Sequence, residues 1–330
     1  MKKFISFMCL LLTFATLFCA CNGEEPVETQ PVTESVTTTA PTEETTKAPA
    51  SKLKTYVDID GELSAKATRL DVMAIRAFAG EGGYYKHAQG GCIMGDYLIT
   101  CMHSPASNNI PEKVCIVKSD LKTGKIVEKS DNLILGHAND ATYNPDDNII
   151  VVADMGINGS HIVHVVNADT LKIERSISLQ ASGSPISYIA YDEVNQRYVC
   201  LGGLLQNLYI YDRDFRLLKV VKCSGFRNRE GFDGTYVGNG AVTDGKYVYI
   251  PVWHGGETWK SQNIVIEEQT ETYLRIIDIS TGKDIDRIEL GIQREPEYIA
   301  FRKGKFYIGC NNIKWNGMEF YKVEITTTKK

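Results

Sequence analysis

A strand, a tight turn and a second β-branched strand recur five times along this chain, and that repeat fixes what it can fold into. The copies are QGGCIMGDYLIT from Gln89, NDATYNPDDNIIVV from Asn139, SYIAYDEVNQRYVC from Ser187, NGAVTDGKYVYI from Asn239 and EYIAFRKGKFYI from Glu297. Gly-, Asn- and Asp-bearing turns between short runs of Val, Ile and Tyr are hairpin signals. The copies start 50, 48, 52 and 58 residues apart. Each of the first four is followed by a strand ending in a polar turn: KSDLKTGKIVE at Asp120, VNADTLKIER at Asp169, YDRDFRLLKV at Asp212 and IDISTGKDIDRIEL at Asp278. One four-stranded sheet cannot bury both its faces, so such units must stack on one another. The spacing therefore predicts an all-β, five-bladed β-propeller over residues 53–330, with about four strands per blade. No WD dipeptide recurs, and no long amphipathic helical pattern is present. The last copy lacks its final strand, because the chain ends soon after MEFYKVEI. A strand from the N-terminal side would close the ring and remove the open edge, supplied by TYVDI at Thr55 or LDVMAIRAF at Leu70.

The chain preceding the repeats has a different character. Residues 1–20 carry Lys2 and Lys3 and then an apolar run from Phe4 to Phe18. That is the pattern of a secretory signal, too short to span a bilayer. Phe18-Cys19-Ala20-Cys21 resembles a bacterial lipobox, which makes Cys21 the lipid-bearing residue. Residues 21–52 are rich in Thr, Glu and Pro, and the stretch from Asn22 to Ser51 contains no aromatic residue and no Ile, Leu or Met. Such a segment cannot bury enough apolar surface to offset its conformational entropy and reads as a disordered tether, with a reach of roughly 30 Å. The expected product is an exported protein, lipid-anchored to the outer face of the bacterial cell membrane and monomeric.

Charge narrows the partners. Without Lys2 and Lys3 the 36 basic residues fall to 34 against 41 acidic ones, a net charge of −7. With no basic stripe interleaved with aromatics, nothing points to a nucleic-acid partner, and none is expected. Six cysteines lie in the repeats: Cys92, Cys101, Cys115, Cys200, Cys223 and Cys310. They sit singly in apolar strand patterns, where a thiol behaves as a small buried hydrophobe. Cys92 and Cys101, flanking one hairpin, are the single pair whose placement admits a disulfide. No CxxC or histidine spacing marks a metal site, though three histidines converging on one channel could bind an ion, and no cofactor is implied.

Superposing the copies brings distant residues together. In each blade the first strand is innermost, and its start and the exit of the second strand reach the same mouth of the central channel. The first inner position reads Gln89, Asn139, Ser187, Asn239 and Glu297, polar in all five copies. Asp140, Tyr188 and Tyr298 follow, and His87, His137 and Glu295 stand two residues before. The second-strand exits add His103, Asp154, Trp253, His254, Asn311 and Asn312. All three tryptophans, Trp253, Trp259 and Trp315, fall in exits of the fourth and fifth copies, and the fourth carries an insertion from His254 to Thr272 with Glu257, Glu267 and Glu268. Aromatic faces beside amides and carboxylates suit sugar rings, which stack on one face and hydrogen-bond at their edges. The sequence thus points to a ligand site at the mouth, for a glycan or cell-wall fragment, made of Gln89, His137, Asn139, Asp140, Tyr188, Asn239, Trp253, His254, Trp259, Glu297 and Trp315. An enzyme would use the same groups as acid and base, with His137, Asp140 and Glu297 as candidates. No GxSxG, HExxH or P-loop accompanies them. A scaffold for a protein partner would use the fourth-copy insertion instead.

LGHANDATYN, with QGG at Gln89–Gly91 upstream, resembles the helveticin J-like five-bladed propellers of bacteriocin and phage-tail type, whose repeats carry a similar Gly-His-Ala-Asn-Asp segment. The likeness covers about residues 89–154. It implies a cell-surface or carbohydrate-directed binding propeller with Gln89, His137, Asn139 and Asp140 at the channel mouth. The lipid anchor and tether depart from a released bacteriocin. A weaker likeness, through EPEYI at Glu295 and NGAVTDGKYVYI at Asn239, is to propeller-type glutaminyl cyclotransferases. The Glu-Gly-Trp segment of those enzymes is missing here, unless EGFDG at Glu230 takes its place.

Overall fold

Seven hairpins of the repeat are closed by a side chain that folds back on its own turn. The computed structural model describes residues 55–80, 83–104, 112–155, 161–179, 186–202, 206–223, 237–254, 271–312 and 317–329. In the inner hairpins, Asn144 Oδ1 accepts from the N–H groups of Asp146 (2.9 Å) and Asp147 (3.3 Å). Asp192 does the same for Val194 and Asn195, and Asp244 for Lys246 and Tyr247. In the outer hairpins the equivalent acceptors are Asp120, Asn167, Asp212 and Asp278. In the second blade Asn167, rather than Asp169, takes this place. Short Asx side chains outcompete solvent for these N–H groups, which is why they mark the turns.

The described residues contain strands and no helix. A long strand, β1 (Glu62–Arg76), and a short hairpin, β2 (Phe78–Gly80) with β3 (Gly83–Tyr85), precede the first blade. Blade one is β4 (His87–Met94), β5 (Tyr97–Ser104), β6 (Lys113–Asp120) and β7 (Ile126–Lys129). Blade two is β8 (Asp140–Asn144), β9 (Ile149–Asp154), β10 (Ile162–Asn167) and β11 (Ile173–Ser178). Blade three is β12 (Ile186–Asp192), β13 (Arg197–Gly202), β14 (Asn207–Asp212) and β15 (Leu217–Lys222). Blade four has a broken inner strand, β16 (Val237–Gly238) and β17 (Val242–Thr243), both pairing with β18 (Tyr247–His254), followed by β19 (Glu271–Asp278) and β20 (Asp284–Glu289). Blade five is β21 (Pro296–Arg302), β22 (Lys305–Asn312) and β23 (Gly317–Thr328), with β1 as its outermost strand. All pairings are antiparallel. The fold is the five-bladed propeller that the repeat predicts.

Closure uses chain that neither sequence candidate contained in full. The β1–β23 ladder runs from Glu62↔Thr328 to Arg69↔Tyr321, breaks at a bulge, and resumes from Ala74↔Glu319 to Arg76↔Gly317. LDVMAIRAF supplies the second part alone. TYVDI forms no strand: Tyr56 stacks on Phe301 with ring centroids 3.6 Å apart, and its N–H donates to Asp244 Oδ2 at 2.9 Å.

Among the described residues, burial is arranged as five cores, and every one belongs to two neighbouring blades. Ile99 and Ile116 of blade one meet Ile150 and Val152 of blade two. Val151 and Val163 meet Tyr198 and Cys200, and Leu201 and Ile210 meet Val248 and Ile250. Tyr249 and Ile276 meet Ile299 and Phe306. Phe320, with Met73 and Ile75 of β1, meets Leu98 and Val117 and completes the ring. The six cysteines of the propeller are thiols, Cys92 and Cys101 included, and all but Cys223 are buried.

Candidate functional site

The ring of polar residues read from the repeat coincides with a recurring irregularity of the inner strands. Register shifts fall between Ala88 and Gly91 in blade one, Ile186 and Tyr188 in blade three, and Pro296 and Tyr298 in blade five. In blade four the inner strand is interrupted between Gly238 and Val242. Gln89, Ser187, Asn239 and Glu297 therefore occupy bulges, and Asn139 immediately precedes β8. A bulge re-aims its side chain and leaves backbone groups off the ladder. Polar residues stand there because the freed groups need partners.

Much of that polarity holds the blades together. Asn139 Nδ2 donates to the Ser187 carbonyl at 3.1 Å, joining blades two and three. Asn239 Nδ2 donates to the Pro296 carbonyl at 2.7 Å, joining four and five. Asn311 pairs with both backbone groups of Ala88, at 3.0 and 3.2 Å, joining five and one. The Tyr188 hydroxyl donates to the Gly238 carbonyl. Asp140, 0 % exposed, receives the N–H of Ala141 (2.9 Å), of Ile189 in blade three (2.9 Å) and of Ala241 in blade four (3.1 Å). Burial pushes its carboxyl well above the usual range, and the three N–H donors pull against that. Asn139, Asp140, Tyr188 and Asn239 are where the sequence reading placed them, at the start of the inner strands, and Asn311 is at a second-strand exit; their hydrogen bonds reach neighbouring blades.

Other polar groups at the same mouth are not spent in this way, and the densest set lies between blades one and two. His103, near the end of β5, sits across the ladder from His87 of β4. Glu112 immediately precedes β6, and His137 lies in the turn that leads into β8. That turn is fixed by two left-handed residues, Gly136 (φ 60°) and Ala138 (φ 52°). A Cβ at Gly136 would lie 1.5 Å from Asp154 Oδ1, so glycine is required both by the backbone and by the carboxylate packed on it. His103 Nε2 is 3.4 Å from Glu112 Oε2, and His137 Nδ1 is 3.6 Å from the same oxygen. The two imidazoles meet edge to face with centroids 4.9 Å apart. His103 Nε2 is buried with no hydrogen-bond partner. Burial, with His137 beside it, pulls the His103 pKa down to about 4, against the opposing pull of Glu112. His87 is lowered too, by burial first and then by Lys86 and His137.

A pair of carboxyls stands on the blade-five side of the mouth. Burial raises Glu295 to about 7. Glu297 is raised well above the carboxylate range by burial and by Glu295, while a hydrogen bond from Asn311 Nδ2 opposes the shift. Gln89 is half-buried and makes no side-chain hydrogen bond among the described residues. Trp253, on β18, is 7 % exposed and its Nε1 has no hydrogen-bond partner. His254 ends β18, while Trp259, Trp315, Cys21 and most of the fourth-copy insertion lie outside the described residues. At the opposite end the channel holds a cavity of about 70 Å³, bordered by Tyr56, Thr142, Tyr191, Thr243 and Phe301. That volume admits a few waters and no sugar ring.

Sequence reasoning missed Glu112. It lies between the second and third strands of its blade, outside both repeated pieces, so no superposition of copies could single it out. His103 and His137 were legible because each occupies a repeated position.

No protein-family model matches the chain, and no curated protein matches its sequence. Solved structures match it at the level of fold. One is a DUF4221 family member from Bacteroides vulgatus, 10% identical with a TM-score of 0.46, over 80% of this chain and 99% of that one. Another is a Bacteroides thetaiotaomicron protein of unknown function, 12% identical with a TM-score of 0.43, over 80% and 77%. A third is a luciferin-regenerating enzyme, 10% identical with a TM-score of 0.46, over 79% and 95%.

Proposed function

We propose that this chain is an exported lipoprotein, anchored through Cys21, whose propeller binds a glycan or cell-wall fragment at the mouth where the inner strands begin. The observation that carries this reading is the division of labour among the mouth's polar groups. Asn139, Asn239, Asn311 and Asp140 satisfy one another's blades, which leaves Gln89, His87, His137 and Glu295 facing a preformed, rigid opening with hydrogen-bonding capacity to spare. Such groups, held on a scaffold whose blades are cross-linked by hydrogen bonds of their own, suit a polyhydroxylated ligand. Trp253 lies on the strand that leads to the rim, and Trp259 and Trp315 would complete the stacking surfaces. The Gly136–Asp140 segment, similar to that of helveticin J-like propellers, supports the same assignment.

A glycan and peptidoglycan-fragment array on the chain tests this reading, run beside Gln89→Ala and Trp315→Ala. Specific binding by the parent, weakened in both variants, is the expected result. Binding untouched by either change would move the ligand away from this mouth.

One observation favours a second reading, that of an enzyme acting on a bound sugar or peptide. Glu295 and Glu297 are adjacent carboxyls that burial holds toward the neutral form, the condition for a general acid. Under that reading Glu297→Gln retains ligand and loses turnover.

A further inference from the structure

We propose that His103, Glu112 and His137 form a binding site for one first-row divalent transition metal ion, with Zn²⁺ the best match, at the junction of blades one and two. The three donor atoms lie within 4.8 Å of one another. Two of the three edges, 3.4 and 3.6 Å, share Glu112 Oε2. Zinc bonds of 2.0–2.1 Å to nitrogen and oxygen set the edges of a tetrahedron at about 3.3 Å. The shared oxygen is therefore already at coordination spacing from both imidazoles, and a modest rotation of the rings closes the third edge.

A second and independent observation concerns His103. Its Nε2 is buried and 3.4 Å from a carboxylate oxygen, yet it makes no hydrogen bond. An unpartnered buried polar atom costs about 1–3 kcal/mol, and native folds seldom tolerate one without a use. A metal ion between the two atoms satisfies both lone pairs at once.

The donors' mounting also fits. His103 is held on a full β-ladder, and His137 in a turn that Gly136 and Ala138 lock. Glu112 stands at the root of β6. Side-chain exposure rises from 5% at His103 through 15% at Glu112 to 28% at His137. The site is thus closed on the propeller side and open toward the mouth, where a water or a ligand atom would take the remaining position. Two imidazoles with one carboxylate select zinc and its first-row neighbours over Ca²⁺ and Mg²⁺, which prefer all-oxygen shells. The inference does not rest on the glycan assignment: metal binding is measured without any sugar, and either can fail alone.

The test is a Zn²⁺ titration by calorimetry on the full chain, freed of histidine tags and stripped with chelator, with Co²⁺ absorption as a second readout of geometry. The expected result is one ion per chain. Glu112→Gln, nearly isosteric, and His137→Ala, at an accessible turn, should each weaken binding more than about 100-fold, beyond the effect of losing an outer-shell partner. His161→Ala, a histidine outside the cluster, should leave it unchanged. A zinc-dependent rise in melting temperature should appear in the parent and be missing from both cluster variants. Absence of saturable uptake overturns the proposal. So does uptake that survives both cluster variants, or a loss in His161→Ala equal to that in His137→Ala.

Discussion

The most informative residue for acid–base behaviour is Glu295. Its ordinary pKa of 4.5 rises to about 7 because burial disfavours the charged form. A carboxyl whose folded pKa is raised binds more protons in the native state than in the unfolded one throughout that interval. Its contribution to stability is whole below about pH 4.5 and declines as pH rises toward 7, with a slope of at most about 1.4 kcal/mol per pH unit. Glu295→Gln should remove that decline, so chemical denaturation at pH 5 and pH 7.5 should differ less in the variant than in the parent. Equal pH dependence in the two proteins would show that Glu295 ionises normally. The same scale shows what sequence can and cannot reveal. Asn139, Asp140 and Asn239 stand out as polar because the repeat aligns them, but alignment cannot say whether an amide faces a ligand or a neighbouring carbonyl. Asp140 is decided by Ile189 and Ala241, which lie 49 and 101 residues away.

At the level of elements, the hairpins and their Asx-closed turns were legible because their causes are local: a β-branched run, a polar closer and a tight turn. The closing strand was half legible. Met73 and Ile75 are apolar and alternate as a strand should, and they enter the core shared by blades five and one. The Glu62–Arg69 portion carries only Leu63, Ala65 and Ala67 toward the core shared by blades four and five, among charged and polar neighbours, a signal too weak to stand out. Anchorage of β1 then depends on its last turn of sequence. Ile75→Ala should lower stability by about 2–5 kcal/mol. Val72→Ala, at a position 63% exposed, should change it by no more than about 0.5 kcal/mol. Urea midpoints at constant m-value measure both, and similar losses at the two positions would show that β1 is not held through its buried face.

For the molecule as a whole, the placement of the cores matters more than the number of blades. Every core is shared by two neighbours, and the last is closed by the first long strand of the propeller, so no blade can lose its partner without uncovering apolar surface. An open repeat array can fray from its ends; this ring has none. Calorimetry should accordingly show one transition with matching calorimetric and van't Hoff enthalpies, and two resolved transitions would mean that some blades fold apart from the rest.

Strand direction in the fifth blade has a consequence for orientation. β21 leaves the mouth, β22 returns to it, β23 leaves again, and β1 runs back up from Glu62 at the far face to Arg76 at the mouth. Tyr56, just ahead of β1, sits beside the cavity at that far face. The polypeptide therefore enters the propeller from below, on the side away from His103, Glu112 and His137.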